Sequence, residues 1–423
     1  MALSVVMTPV GSAGDVLPLV DLGARLRARG HRVKVVTAEP FRAATLRAGL
    51  EFVGFPDTET FERAVREPDL WHPTRGLGLV ARFVGESLDG AWARLAEHVP
   101  DRDAVLVGHS IAFATRCYEE RTGVPAITVH LAPSAMRSLH RQPAFLPGMT
   151  LSGLPMPVKR ALWWMTDRWL LDPAMVPVLD AFRARHGLAP VRRPFRAWLS
   201  SPNGVLGLFP DWFGPRQPDW PARLTLAGFP LADGGDGTLA PEVEGWLAAH
   251  PGAVVVAPGS ANAHARAFFA AAIEGVRRLG RPVVAPTPYP EVLPAPLADD
   301  VLHARYIPFA PLLARAEAIV HHGGIGTAAQ ALAAGLPQLV VPMGFDQPDN
   351  ATRLAELGVA RWLRPARLAP DSVARTLGRL LDTPSVASAC ARWAPRLDRD
   401  GALERACDAV EAAARREPPP APR

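Results

Sequence analysis

The chain has 423 residues, more than one hydrophobic core usually serves, and its 48% hydrophobic content can supply two. Its 46 basic residues against 41 acidic ones give a formal charge of +5, spread through arginine-rich stretches such as ARLRARGHR. With no aromatic-interleaved basic cluster, nucleic-acid binding is not supported.

LSVVMT (3–8) reads as a buried strand and VGSAGD (10–15) as a turn of small residues. Val16, Leu19, Val20, Gly23 and Leu26 mark the inward face of an amphipathic helix, which Gly30 stops before the strand RVKVVT. This strand–helix–strand unit opens a parallel sheet. FRAATLRAG and LEFVGF repeat it on a smaller scale, and residues 56–100 add the PDLWHPTRG loop and a helix through Leu88, Trp92 and Leu95. AVLVGHS (104–110) and AITVHLAPS (126–134) are further strands with their turns. Between 135 and 200 the period weakens, and proline clusters alternate with aromatic-rich helix candidates such as RALWWMTDRWLLD. VLGLFP and RLTLAGFP complete the first half.

LADGGDGTLAP (231–241) has the glycine, aspartate and proline composition of an interdomain linker. The alternation then starts again with EVEGWLAAH, AVVVAPGSAN, RAFFAAAIEGVRRLG, RPVVAP, VLHARYIP and PLLARA. Helices are expected near 351–358, 371–381, 385–395 and 402–415, the last pair packing across a domain boundary. The charged, proline-rich end 416–423 is expected to be frayed. The expected organisation is thus a first Rossmann-like domain over 1–230 with a helical insertion at 135–200, the linker, and a second such domain over 242–415. The expected fold class is α/β, with two Rossmann-like parallel-sheet domains facing across a cleft.

No run reaches the roughly 18 apolar residues that span a bilayer, and the chain enters a strand with no basic-then-apolar leader. Cys117, Cys390 and Cys407 show neither metal-ligand spacing nor an even-numbered bridge framework. A cytoplasmic protein is expected. The basic excess would suit contact with an anionic inner-membrane surface or attract a pyrophosphate-bearing substrate, and would equally follow from a high-GC proteome's use of arginine.

The chemistry concentrates in VHHGGIGTAAQALAAGLPQLVVPMGFDQPDN (320–350), which reads as strand, glycine-rich turn, helix, strand and polar loop. Glycines admit close backbone approach to an anion, and amides exposed at a helix start favour phosphate. The spacing matches neither GxGxxG nor GxxxxGK[ST], so those nucleotide sites are not written here. No DxD pair in this segment offers to hold a metal.

This segment resembles the donor-binding signature of nucleotide-sugar-dependent glycosyltransferases of the two-Rossmann-domain (GT-B, family 1) type. TPVGSAGDVLPLVDLGARLRARGHRVKVVT is similar to the opening of their sterol and antibiotic branches. PDLWHPTRGLG and LSSPNGVLGLFPDWFGPRQPDWPARLTLAGFPL resemble bacterial rhamnosyltransferases that build rhamnolipids. The likeness runs from about Leu3 to the helix near Leu380.

The resemblance implies that His322, Gly323, Gly324, Gly326 and Thr327 hold the donor diphosphate, with Ser260 of the PGSAN turn beside them. It implies that Asp346 and Gln347 bind the sugar hydroxyls, while Asn350 and Arg353 support their loop; Asp346 as a plain helix cap is the competing reading. Tyr306 and Ile307 fall where the family holds the nucleobase. Asp15 maps onto the aspartate of the family's GSRGD segment and would serve as general base or orient the nucleophile; a cap of the following helix is the alternative. His109 is the reserve base, and His130 has a similar address.

The acceptor groove is expected to involve Trp71, Trp163, Trp164 and Trp169 with Leu170 and Leu171, although core packing explains such a stripe equally well. The resemblance implies an inverting transfer of L-rhamnose from dTDP-L-rhamnose to a 3-hydroxy-fatty-acid lipid, without cofactor or metal. Residues alone do not separate a dTDP-sugar from a UDP-sugar donor. The alternatives are a polyketide, sterol or terpenoid acceptor, a nucleotide-sugar epimerase, and a non-catalytic nucleotide-sugar-binding accessory protein.

Overall fold

A computed structural model describes residues 2–72, 75–100, 103–232, 237–260 and 262–415, the Trp71 side chain excepted. The 416–423 tail lies outside the described residues. Two compact units emerge. The first comprises Met1–Pro143, Thr150–Pro230 and the chain from Arg399 onward; the second comprises Ala144–Met149 and Leu231–Asp398.

Among the described residues, seven strands build the first unit: β1 Ser4–Thr8, β2 Arg32–Thr37, β3 Glu51–Gly54, β4 Ala104–His109, β5 Ala126–His130, β6 Val205–Gly207 and β7 Leu224–Leu226. They lie in the order 3-2-1-4-5-6-7, and every pairing is parallel. Val5, Val105, Leu106, Ile127 and Val129 are fully buried, as expected of β-branched runs covered on both faces by helices. The helix Ala13–Ala28 packs Leu19, Leu22 and Leu26 inward. Opposite it in sequence, the helix Arg399–Ala414 returns to this unit and buries Leu403, Ala406, Cys407 and Val410.

The 135–200 segment carries the helix Met156–Thr166, a π turn Asp167–Leu171 and the helix Asp172–Arg185. Pro173, which has no N–H to donate, is the second residue after the π turn, where the hydrogen-bond register widens. Met175, Leu179 and Phe182 join the core, which explains why this stretch is too apolar for a solvent-facing loop.

Among the described residues, six parallel strands build the second unit: β8 Val254–Ala257, β9 Val283–Pro286, β10 Val301–Ala304, β11 Ala318–His321, β12 Gln338–Val340 and β13 Ala360–Trp362. Their order is 10-9-8-11-12-13. The two sheets are the doubly wound Rossmann-like pair that the alternation of elements predicts. No helix among the described residues is long and apolar enough to cross a membrane.

In each sheet the winding reverses once. The first unit runs outward from β1 through β2 to β3, and then β4 pairs with the other edge of β1. The second does the same at β8 and β11. Loops leaving the carboxyl ends of two such strands diverge to opposite faces and leave a crevice, which is where open α/β sheets bind ligands.

Candidate functional site

The crevice of the second unit is bounded by the turns after β8 and β11, and both are built around one imidazole. His322 follows β11 directly and is nine-tenths buried. A Cβ on Gly259 would stand 2.8 Å from its Nε2, and one on Gly324 would stand 2.5 Å away. Glycine is therefore required on both sides of the ring, and Gly259 also adopts a positive φ of 103°. Burial pushes the His322 pKa down to about 4, opposed in part by its hydrogen bond with the Ala257 carbonyl. At neutral pH the ring is uncharged.

His321 plays a different part. Its Nδ1 accepts the Gly323 N–H at 3.1 Å, so Nε2 carries the proton and donates to Gln338 Oε1 at 3.0 Å. Burial lowers its pKa to about 3. This histidine stitches β11 to β12, and it also commits the Gly323 amide. Gly323 thus contributes shape, with φ at 94°, rather than a donor.

The helix Ile325–Ala333 starts with Gly324 as its N-cap. Ile325, Gly326 and Thr327 occupy its first turn, where backbone amides have no partner within the helix and the dipole is positive. Ser260 is exposed in the turn after β8, and Asn262, two residues on, is buried.

After β12 the chain turns through Phe345, a non-glycine residue held at φ 56°, into the helix Gln347–Glu356. Gln347 is buried, and its Oε1 accepts the Met343 and Gly344 amides at 2.8 and 3.2 Å. Those two donors fix the orientation of the side-chain amide, leaving its NH2 group as the only part able to meet a further acceptor. Asp346 sits at the N-cap position without a side-chain capping bond. Asn350 Nδ2 instead donates to Asp346 Oδ2 at 2.7 Å and to the Gly323 carbonyl at 2.9 Å. One amide therefore ties the glycine turn to the polar loop. Beyond β10, Tyr306 is exposed while the Ile307 side chain lies in the core, so Ile307 offers only backbone to its surroundings.

In the first unit, the turn after β1 and the end of β4 bring Asp15 and His109 together. Asp15 Oδ2 accepts the Ser12 N–H at 2.7 Å and the Ser12 hydroxyl at 2.9 Å, which closes a capping box at the helix start. Its other oxygen, Oδ1, lies 3.9 Å from His109 Nε2, too far for a hydrogen bond between them. Burial lowers the His109 pKa while the Asp15 charge raises it. His109 Nδ1 makes no hydrogen bond among the described residues. Behind it, His130 Nδ1 pairs with the Ser110 hydroxyl at 2.9 Å, and burial drives the His130 pKa to about 3.

The described tryptophans differ in exposure. Trp163 is half-buried, donates Nε1–H to the Ser138 carbonyl at 3.3 Å, and lies under the Arg137 guanidinium. Trp164 and Trp169 are 48% and 64% exposed and meet edge to face at 5.8 Å. The Trp71 side chain lies outside the described residues.

The sequence places Ala144–Met149 in the 135–200 insertion of the first domain, whereas these six residues group with the second unit. Neither periodicity nor a motif marks them.

Residues 5–85 match the glycosyltransferase family 28 N-terminal domain, and residues 289–400 match the erythromycin biosynthesis protein CIII-like C-terminal domain. The chain is 30% identical to O-mycaminosyltylonolide 6-deoxyallosyltransferase of Streptomyces fradiae over 97% of each protein. It is 27% identical to the oleandomycin glycosyltransferase of Streptomyces antibioticus over 96% of this chain and 90% of the relative. Among solved structures, the glycotransferase of kitacinnamycin superposes with a TM-score of 0.74 at 22% identity, covering 98% of this chain and all of that one.

These relatives overturn the rhamnolipid expectation. The two relatives just given, which match along nearly the whole chain, are named for a tylonolide and for oleandomycin, not for a lipid. The physical reason for the misreading is visible in the fold. The stretch LSSPNGVLGLFPDWFGPRQPDWPARLTLAGFPL forms β6, β7 and their connection, with Leu206, Phe209, Phe213 and Trp220 buried. It is scaffold, and scaffold carries no information about the acceptor. Likeness along the full length to sugar transferases also sets aside the epimerase and accessory-protein readings. The chain belongs to the nucleotide-sugar-dependent glycosyltransferases of the two-Rossmann-domain, GT-B type, and is an enzyme of that class.

Proposed function

We propose that this enzyme transfers a sugar, with inversion, from a nucleoside diphosphate to a hydroxyl of a macrolide- or polyketide-type natural product. The observation that carries the reading is the likeness along 97% of both chains to an enzyme named for adding 6-deoxyallose to O-mycaminosyltylonolide. In this reading the first-turn amides of the 325–333 helix, with Gly324, Gly326, the Thr327 hydroxyl, His322 and Ser260, bind the diphosphate, and Gly323 shapes the turn. Fixed dipoles there stabilise the charge that develops on the leaving diphosphate more than they stabilise the ground state. Asp346 and the Gln347 NH2 group take the sugar hydroxyls. Tyr306 and the Ile307 backbone meet the base.

Asp15 Oδ1 is the proposed proton acceptor, because Ser12 occupies only Oδ2. The 3.9 Å gap between Oδ1 and His109 Nε2 leaves room for a hydroxyl to touch both. As the acceptor oxygen forms its bond to the anomeric carbon, its proton passes to Asp15, and the carbon–oxygen bond to the diphosphate breaks with its electron pair. His109, uncharged through burial, orients that hydroxyl.

The test is a matrix of dTDP- and UDP-sugars against macrolides and their aglycones, read by product mass and by the anomeric configuration of the product. An inverted glycoside of a macrolide supports the reading. Transfer confined to another acceptor class, or retention of configuration, overturns it.

A further inference from the structure

Six residues from the middle of the first half of the sequence, Ala144–Met149, pack as part of the second unit. Their attachment is specific. The Ala144 N–H donates to Asp349 Oδ1 at 3.0 Å, and the Gly148 N–H donates to Thr352 Oγ1 at 3.0 Å. Asp349 Oδ2 is engaged by Arg353 Nε at 2.7 Å, with both side chains 4% exposed, and Thr352 Oγ1–H donates to the Pro348 carbonyl at 2.8 Å. Gly148 adopts φ 73°, and a Cβ there would stand 3.2 Å from Trp362 Cζ2. The strap is therefore clipped at two points, one turn apart, to the helix Gln347–Glu356.

What the clips present is apolar. Ala144 is buried, but Phe145 and Leu146 are 52% and 53% exposed and Met149 is 40% exposed. Three such side chains in six residues are an unusual surface, and the Asp349 clip that holds the start of the strap lies in the first turn of the helix that follows Asp346, with Phe345 just before it 49% exposed. The chemistry of the reaction names the occupant. An acceptor hydroxyl has to reach the anomeric carbon of the sugar, so side chains flanking the loop that holds the sugar meet the body of the acceptor.

We propose that Asp349 and Thr352 are positioning residues that hold Phe145 and Leu146 as an apolar wall for the acceptor beside the sugar loop. Selection among macrolide-type acceptors is then carried in part by the donor-binding unit. This rests on the reading of Asp346 and Gln347 as the sugar site. Removing the Thr352 hydroxyl deletes one clip without disturbing the buried Asp349–Arg353 pair, which makes Thr352→Val the informative variant.

The experiment measures kcat and KM for oleandomycin and O-mycaminosyltylonolide as acceptors, thymidine diphosphate affinity by calorimetry, and hydrogen exchange of 144–149 with and without each macrolide. Thr352→Val is expected to raise acceptor KM about three- to tenfold, the effect of about one lost hydrogen bond, and to speed exchange of 144–149. Thr352→Ser is expected to restore both. The Phe145→Ala/Leu146→Ala pair is expected to raise acceptor KM at least as far, with thymidine diphosphate affinity unchanged. In the native enzyme, either macrolide is expected to slow exchange of 144–149.

Acceptor KM within twofold of native in both the Thr352→Val and the double variant, or exchange of 144–149 unaffected by either macrolide, overturns the proposal. A separate arm isolates the underlying reading. If Asp346→Ala and Gln347→Ala leave donor KM unaltered, the sugar site lies elsewhere, whatever the strap variants do.

Discussion

His322 is held between two glycines, and that tells more about its role than its place in a motif. Ring and turns are mutually exclusive with any side chain at 259 or 324, so the backbone was shaped to this imidazole. The second residue-scale feature is Asp15, which both caps a helix and faces His109. Asparagine keeps an acceptor for the Ser12 amide but cannot take a proton. Asp15→Asn should therefore leave the fold and thymidine diphosphate affinity intact while lowering kcat by roughly 10²–10⁴-fold. Steady-state kinetics with matched calorimetry check this, and native turnover would reduce Asp15 to a cap.

Burial also sets an acid limit. His130 and His321 titrate near 3 and His322 near 4 in the folded chain, against about 6.5 when unfolded. Between those values the unfolded state binds more protons, so stability rises with pH up to about 6.5 and falls below it. Each histidine should cost about 1.4 kcal/mol per pH unit below that point. Urea titrations at pH 7.5, 6 and 5 should show this decline in both units, since His130 lies in the first and His321 and His322 in the second.

Among the elements, the C-terminal helix Arg399–Ala414 shows how charge and packing divide their work. Arg29 meets Glu404, Asp408 and Glu411, Arg25 meets Asp400 and Glu404, and Arg399 meets Asp21. His31 links both ends of the first unit's chain: Nδ1 accepts the Leu3 N–H, so Nε2–H donates to Glu411. Most of these carboxylates are well exposed, and solvent screens them, so the network's value lies in register more than in energy. Arg29→Ala is expected to lower stability by about 1 kcal/mol, an effect that shrinks in high salt. Thermal melts at low and high ionic strength measure it. The opposite arrangement holds for the strands, whose positions are fixed by burial and are indifferent to salt.

For the whole molecule, chain order and spatial order part company twice. Residues 144–149 belong with the second unit, and the chain from Arg399 onward belongs with the first. Truncation at Asp398 would strip Ala402, Leu403, Ala406, Cys407 and Val410 from the first unit's core. At roughly 1.5–3 kcal/mol for each large apolar side chain uncovered, that unit should melt well below the second. Calorimetry of the truncated chain should resolve two transitions, the upper one at the native temperature of the second unit.

Alternation of β-branched runs with amphipathic helices was enough to read two doubly wound parallel sheets, because apolar periodicity is a property of neighbouring residues. The glycine turn 323–327 was legible for the same reason: only a tight turn at a helix start needs that composition. The sequence could not tell that the Gly323 amide is committed to His321, that Gln347's oxygen is turned inward on its own loop, or that Asp15 faces His109. Those pairings span from two to more than ninety residues and depend on which groups the folded backbone brings within reach of one another. Nor could it tell buried from exposed aromatics in the first half, since a half-buried tryptophan like Trp163 and one projecting outward like Trp169 are written identically. Burial is decided by what packs against a residue, and that is settled only when the chain has closed on itself.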